Sequence, residues 1–409
     1  MSAAAVLPRS SGAERVAESG PLSHLDVDEL QRFGAELDEI RDEILKDRGA
    51  RDRRYILRLI RTQRSLALGS RATMLAACAF HPWLALPWAS FPAFVALLVL
   101  GTLGLALAKI LENMEIGHNI LHAQWDWMGD PEIRSDRWEW DIVCPSSQWR
   151  HSHNVVHHTW TNVMGRDRDI GYGMLRVTER QRWSPFYAIQ PLSFLLMMSF
   201  FEWFIALHDI EVAHVWTGKR SWDDARPLVR DGLRKVGRQV LKDYVLWPLL
   251  AGPFFLWVLG ANFVANVLRN MWTFMIIFCG HFPADVHHFA KNSVKSETRA
   301  HWYARQMLGS CNIDGGPLFH VMSGNLSHQI EHHLFPDLPS NRYPEIAPRV
   351  RAIAARYGID YNTGSLRRQF GTTVTKILRL SLPGRDGRGP RARGRAARRS
   401  SRQGGLTAA

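Results

Sequence analysis

Histidine is the residue of this chain best placed to do chemistry: there are 18, most of them between His118 and His333. Three groups stand out. The first is His118-Asn-Ile-Leu-His122. The second is His153-Asn-Val-Val-His157-His158, and the third is His328-Gln-Ile-Glu-His332-His333. Each holds imidazoles four residues apart, on one face of a helix, where two rings can share a metal ion. A fourth candidate, His281, stands alone at the end of an apolar run. The eight grouped histidines and His281 make nine, too many for one tetrahedral zinc site. Two metal ions suit that number. Imidazole accepts iron, zinc, copper and nickel alike, so the ligands do not choose; iron is preferred because it activates dioxygen. Glu115, Asp141, Asp167, Asp169 and Glu331 lie near the groups and are candidates to orient the rings. His24, His81, His208 and His214 are isolated and read as structural.

These groups need helices that bring them to one level. Mean hydropathy is −0.18, yet the apolar residues are bunched into long runs. A first run spans about Ala72 to Ile110 and breaks near Pro87 and Pro92. It reads as a hairpin of spans over roughly 72–88 and 93–114, since about 20 residues cross a bilayer core. A second run, Leu246 to Phe282, breaks around Gly260–Asn262. Neither turn holds Lys or Arg, whereas Arg51 to Arg71 precede the first hairpin. That asymmetry puts both ends of each hairpin in the cytoplasm. A helix starting near residue 93 gains roughly 38 Å by His118, and one starting near Ala261 gains about 30 Å by His281. Against a core of about 30 Å, both histidines reach the cytoplasmic surface, and the second and third groups follow the hairpins. Residues 186–207 are also apolar but contain Glu202. A charge at mid-bilayer is costly, and one more crossing would separate the histidine groups. They therefore read as an interfacial or re-entrant helix.

The rest is simpler. Residues 1–24 are small and polar, a disordered N-terminus. Residues 25–70 read as cytosolic amphipathic helices: Leu30, Phe33, Leu37, Ile40 and Ile44 make one apolar face, and a basic helix follows from about Arg54 to Leu68. The membrane unit occupies 71–383, and 384–409 form a disordered Arg-rich tail. Net charge is +13. Arg385 to Arg402 carry eight Arg and one Asp, so 13 − 7 = +6 remains. Lys and Arg flanking membrane spans account for this, and no nucleic acid is implied. Cys78, Cys144, Cys279 and Cys311 form no CxxC pair, which argues against a zinc ribbon or a disulfide framework. Residues 1–70 show no signal-peptide core. The expected fold is an all-α integral membrane protein: four transmembrane helices in two hairpins, with a cytosolic helical cap and an interfacial helix.

The strings around the histidines sharpen this. Trp125-Asp126-Trp127-Met128 and Asp130-Pro131-Glu132 follow the first group; Trp149-Arg150-His151-Ser152-His153-Asn154 opens the second and Thr159-Trp160-Thr161-Asn162 closes it; Asn325-Leu326-Ser327 and Leu334-Phe335-Pro336 flank the third. Over roughly residues 25–383 the chain resembles the membrane fatty acid desaturase superfamily, most of all its actinobacterial acyl-CoA desaturases, with HxxxH, HxxxHH and HxxHH or QxxHH boxes. The resemblance implies a non-haem di-iron centre of two iron ions held by His118, His122, His153, His157, His158, His281, His328, His332 and His333. It implies dioxygen as oxidant, a fatty acyl substrate, with acyl-CoA the favoured carrier, and an active site on the cytoplasmic side. No His-Pro-Gly-Gly stretch appears, so a separate ferredoxin- or flavin-type redox protein would supply electrons one at a time. Ile277 stands where the animal stearoyl-CoA enzymes carry a metal-supporting Asn, which leaves that role without a residue. Trp125, Trp127, Trp138 and Trp140 are candidates to line the acyl tunnel or to anchor at the membrane interface. Arg150 or Arg342 are candidates to meet a CoA phosphate. Two other readings stay open: a related di-iron hydroxylase or ketolase, and a zinc-bound membrane hydrolase or receptor.

Overall fold

The computed structural model describes residues 20–384 apart from 211–214, 216 and 219. His214, the first 19 residues and the Arg-rich tail lie outside the described residues.

Helix α1 (Val27–Asp47) begins at a reciprocal cap. Asp26 accepts from the Glu29 amide at 2.7 Å, and the Glu29 carboxylate accepts from the Asp26 amide at 3.0 Å, which satisfies two amides that a helix start leaves unpaired. Its apolar face, Leu30, Phe33, Leu37, Ile40 and Ile44, is the expected one. It packs into a core with Tyr303, Met307, Tyr343, Ile346 and Val350. The basic helix and the first span, expected as two elements, are one: α2 (Ala50–Cys78) runs unbroken. No proline interrupts it, so nothing forces a boundary at residue 70. A turn containing Pro82–Leu84 leads into α3 (Phe91–Leu121), which carries His118 near its end.

The second group lies on α4 (146–160). Next come α5 (Gln190–Ser199) and α6 (Phe201–Ile210), bent by 99° at a one-residue break. Glu202, just past the bend, accepts from Arg269 at 2.5 Å. Helix α7 (Trp222–Val240) keeps helical dihedrals through Leu249. The second apolar run turns at Gly252–Phe254, not at Gly260–Asn262 as the sequence suggested. Gly252 takes φ +55, a conformation suited to glycine, and Pro253 has no amide to offer the preceding turn. Gly260 lies inside α8 (Phe255–His281), where an exposed glycine costs only about 1 kcal/mol.

Among the described residues two helices are long and apolar enough to cross a membrane: Phe91–Leu121 with 31 residues and Gly252–His281 with 30. Each rises about 45 Å, well beyond a core of about 30 Å, so His118 and His281 sit at matching ends. Ion pairs tie the helices together. Arg71 and Lys109 both reach Asp243, at 2.9 and 2.8 Å, and Lys109 also meets Asp141 at 3.0 Å. The further elements that bear on the site are α9 (Arg299–Leu308), β1 (Asn312–Asp314), α10 (Gln329–Leu334), α11 (Tyr343–Arg356), β2 (Thr363–Ser365) and α12 (Leu366–Leu380). The expectation of helices alone misses one small feature: β1 and β2 pair in parallel, with Asn312 opposite Thr363.

Candidate metal centre

Eight of the nine proposed histidines converge. His118, His122, His153 and His332 form one group, and His157, His281 and His333 another; in each, one ligand atom per residue lies within 4.8 Å of the rest. His158 groups with His332 and His333 between them, its ring stacked on His333 at 4.3 Å. The rings come from four places: the end of α3, α4, the end of α8, and α10. In α3 and α4 they emerge from π-helical turns, Glu112–His118 and His151–His157. Such turns recur at functional sites because they re-aim side chains within a helix.

Four of the rings are held from behind. The His157 Nδ1 lies 3.1 Å from Asp167, whose carboxylate also accepts from the Asn162 amide at 2.7 Å. His333 Nδ1 meets the Gln306 amide oxygen at 3.0 Å, His118 Nδ1 the Asn119 amide oxygen at 3.1 Å, and His332 Nδ1 the Tyr343 hydroxyl at 3.4 Å. The inward nitrogens are left over. Nε2 of His122, His153, His332 and His333, both ring nitrogens of His158 and Nδ1 of His281 are buried without a hydrogen-bond partner. Leaving so many buried polar atoms unpaired would cost roughly 1–3 kcal/mol each. Metal ions at the two groups would take up these lone pairs, so the donor set fits two ions that favour imidazole.

Electrostatics agree. Burial, reinforced by the neighbouring imidazoles, holds His122, His158, His332 and His333 well below the usual histidine range. Burial brings His153 to about 4. These rings are neutral at pH 7, the form that binds metal. His157 differs: burial pushes its pKa down, but Asp167 and Asp169 outweigh it and the net shift is upward.

His328 does not join either group. It precedes α10 with φ −102 and ψ 54, outside the helical region, and its ring packs on His320 at 4.5 Å. Gln329 stands in its place, with its side-chain amide 3.1 Å from His281 Nε2. In the sequence Gln329-Ile-Glu-His332-His333 matches the QxxHH box as well as His328 opens the group, but Gln329 was not among the expected metal ligands. Of the carboxylates, Asp167 and Asp169 support the rings. Glu115 accepts from Tyr55, Asn325 and Ser340, Glu331 from Asn312 and Tyr361, and Asp141 belongs to the ion-pair network. A small enclosed cavity lies against both groups, lined by His118, His153, His157 and His281 and walled by Trp140, Trp149, Ile205, Thr273 and Ile277. Of the four tryptophans considered for the tunnel, only Trp140 lines it; Trp125 stacks on Tyr55 instead.

The model of the family described as fatty acid desaturase matches residues 89–365, more than half of the chain. The chain belongs to the fatty acid desaturase family. It is 45% identical over 365 residues to the NADPH-dependent stearoyl-CoA 9-desaturase of Mycobacterium tuberculosis, covering 88% of this chain and 82% of that protein. It is 25% identical over 293 residues to the sn-1 linoleoyl-lipid 6-desaturase of Synechocystis, covering 68% and 80%. The family is one of non-haem iron enzymes, and the resemblance drawn from the histidine boxes is borne out. A member of it is an oxidoreductase that desaturates fatty acyl chains, and neither the hydroxylase nor the zinc-hydrolase reading is favoured.

Proposed function

We propose that this enzyme inserts a double bond into the acyl chain of an acyl-CoA thioester, on the cytoplasmic side of a four-helix membrane bundle. The carrying observation is the set of buried, unpartnered, neutral imidazole nitrogens beside a small enclosed cavity that Trp140, Trp149, Ile205 and Ile277 wall on one side. The mycobacterial relative's name, a stearoyl-CoA desaturase, supports acyl-CoA as carrier, and its NADPH dependence supports an external redox protein as electron source. In the bundle α2, α3, α7 with its extension to Leu249, and α8 are the four legs, and α5 with α6 forms a re-entrant element.

Two iron ions would supply the power to activate dioxygen and draw hydrogen from unactivated methylenes. His118, His122, His153 and His332 are the proposed ligands of one ion, and His157, His281 and His333 those of the other, with His158 between. Asp167 holds His157 by its Nδ1, leaving Nε2 to face inward. Trp140, Trp149 and Ile277 exclude water and fix which methylene approaches. Placement of this kind carries several kcal/mol of the barrier, and an error of about 1 Å costs roughly 100-fold.

The test is the fatty acid profile of a bacterial host expressing the chain with a reductase system, read by gas chromatography–mass spectrometry, with His332→Ala as control. A new monounsaturated acid, absent from the control, is expected. A hydroxy acid as the only new product, or an unchanged profile with iron bound, would overturn the reading.

A further inference from the structure

Desaturation needs electrons from outside the substrate. Per turnover, –CH2–CH2– + O2 + 2 e− + 2 H+ gives –CH=CH– + 2 H2O: the acyl chain loses two hydrogens, dioxygen takes four electrons, and a reduced partner supplies two of them. We infer that the outer face of α7 is where an acidic one-electron redox protein docks, an inference that rests on the desaturase reading above.

Arg226, Arg230, Arg234 and Arg238 recur every four residues along α7, a single stripe about 18 Å long. Arg230 and Arg234 are 64% and 63% exposed and share one carboxylate, Asp231, at 3.7 Å. Arg226 and Arg238 have no ion pair among the described residues. Asp223 and Asp224 stand at the start of the helix, and Asp224 is engaged by Ser221. Beside the stripe Trp222 and Leu233 are 57% and 67% exposed, an apolar contact set among charges, as protein interfaces have.

The inner face of the same helix touches the metal centre's surroundings. Lys235 donates to the Trp140 carbonyl at 2.5 Å, and Gln148 donates to the Leu228 carbonyl at 2.8 Å. Trp140 lies 4.9 Å from Trp149, and Trp149 stacks on His153 at 4.3 Å and 18°. A partner on the stripe is thus one helix diameter, about 10 Å, from a continuous aromatic route to His153. Anionic lipid fits the stripe less well. The exposed apolar residues of this helix's extension, Leu241, Leu246 and Leu249, belong in the bilayer, so the arginines nearer Trp222 stand clear of the headgroups.

The experiment compares the full chain in nanodiscs with an Arg226→Glu/Arg230→Glu/Arg234→Glu variant. The probe is a plant-type [2Fe-2S] ferredoxin kept reduced by NADPH and its reductase; reduced methyl viologen is the small-molecule control. Charge reversal is expected to raise the KM for ferredoxin at least about tenfold at low salt and to flatten its salt dependence, with viologen-driven turnover within about twofold. Equal ferredoxin KM in both proteins, or wild type that turns over with viologen but not ferredoxin, overturns the docking face. A defect confined to bilayers containing phosphatidylglycerol assigns the stripe to lipid and overturns it too. Wild type inert even with viologen, iron and acyl-CoA would sink the desaturase reading instead.

Discussion

A ring nitrogen that binds metal must be neutral, aimed and otherwise unengaged, and each condition can be traced to a neighbour. Burial supplies neutrality; Asp167, Gln306, Asn119 and Tyr343 supply aim by taking Nδ1. Removing a supporting group of this kind typically costs 10–100-fold in metal affinity. Asp167→Asn is therefore expected to lower iron content measured by plasma mass spectrometry while leaving the protein folded; wild-type occupancy under dilution would remove Asp167 from the site. The pair His332→Ala and His328→Ala tests the assignment itself. The first should lose iron and activity, since His332 stands in two of the groups. The second should keep its iron, because His328 faces His320. The sequence could not make that distinction: four-residue spacing implies a shared face only where both residues are helical, and His328 lies one residue before α10 begins. The other seven grouped histidines could be read because their spacing falls within helical turns, and His281 because it ends a long apolar run.

At the scale of elements, the apolar runs marked the two long apolar helices, Phe91–Leu121 and Gly252–His281, but where each begins follows local backbone chemistry that hydropathy does not carry. Gly252-Pro253 turns the chain before α8, while Gly260 is absorbed into α8. The extra eight residues or so lengthen α8 until it matches α3. Glu202, which made residues 186–207 hard to read, is explained by α8: Arg269, 1% exposed, meets it at 2.5 Å. Removing one partner from such a buried pair costs about 3–5 kcal/mol, whereas replacing both with apolar groups is often neutral. Glu202→Ala should thus lower the thermal unfolding midpoint sharply in detergent, and Glu202→Leu with Arg269→Met should restore most of it. Equal losses in both variants would mean that the ion pair itself stabilises the fold, and no loss in either that it holds nothing. Close packing also limits the cavity. Ile277, one turn before His281, sits on its wall. Ile277→Trp should cut turnover roughly 100-fold by displacing the acyl chain, with iron content unchanged; loss of iron as well would show that the residue supports the metal rather than the substrate.

At the scale of the whole molecule, the centre joins parts of the chain that have separate cores. His118 and His281 end the two apolar helices, His153 to His158 sit on α4, and His332 and His333 sit on α10, whose Ile330 and Leu334 belong to the α1–α9–α11 core. Without metal, that junction gathers eight imidazoles with several buried nitrogens unpaired; with metal, the same atoms would become cross-links between the two apolar helices, α4 and α10. Anything that binds the folded state alone stabilises it by mass action, by about 2.7 kcal/mol at a hundredfold excess over Kd. Stripping iron with a chelator at neutral pH should therefore lower the unfolding midpoint by several degrees and expose residues 146–160 to protease, and both effects should reverse when iron is returned. The stabilisation should also fade on acidification, because protons compete for the imidazoles that metal requires neutral. An unfolding midpoint identical with and without iron would mean that the hydrogen bonds to Asp167, Gln306 and Tyr343 hold the site together unaided, and that metal arrives in a finished cradle.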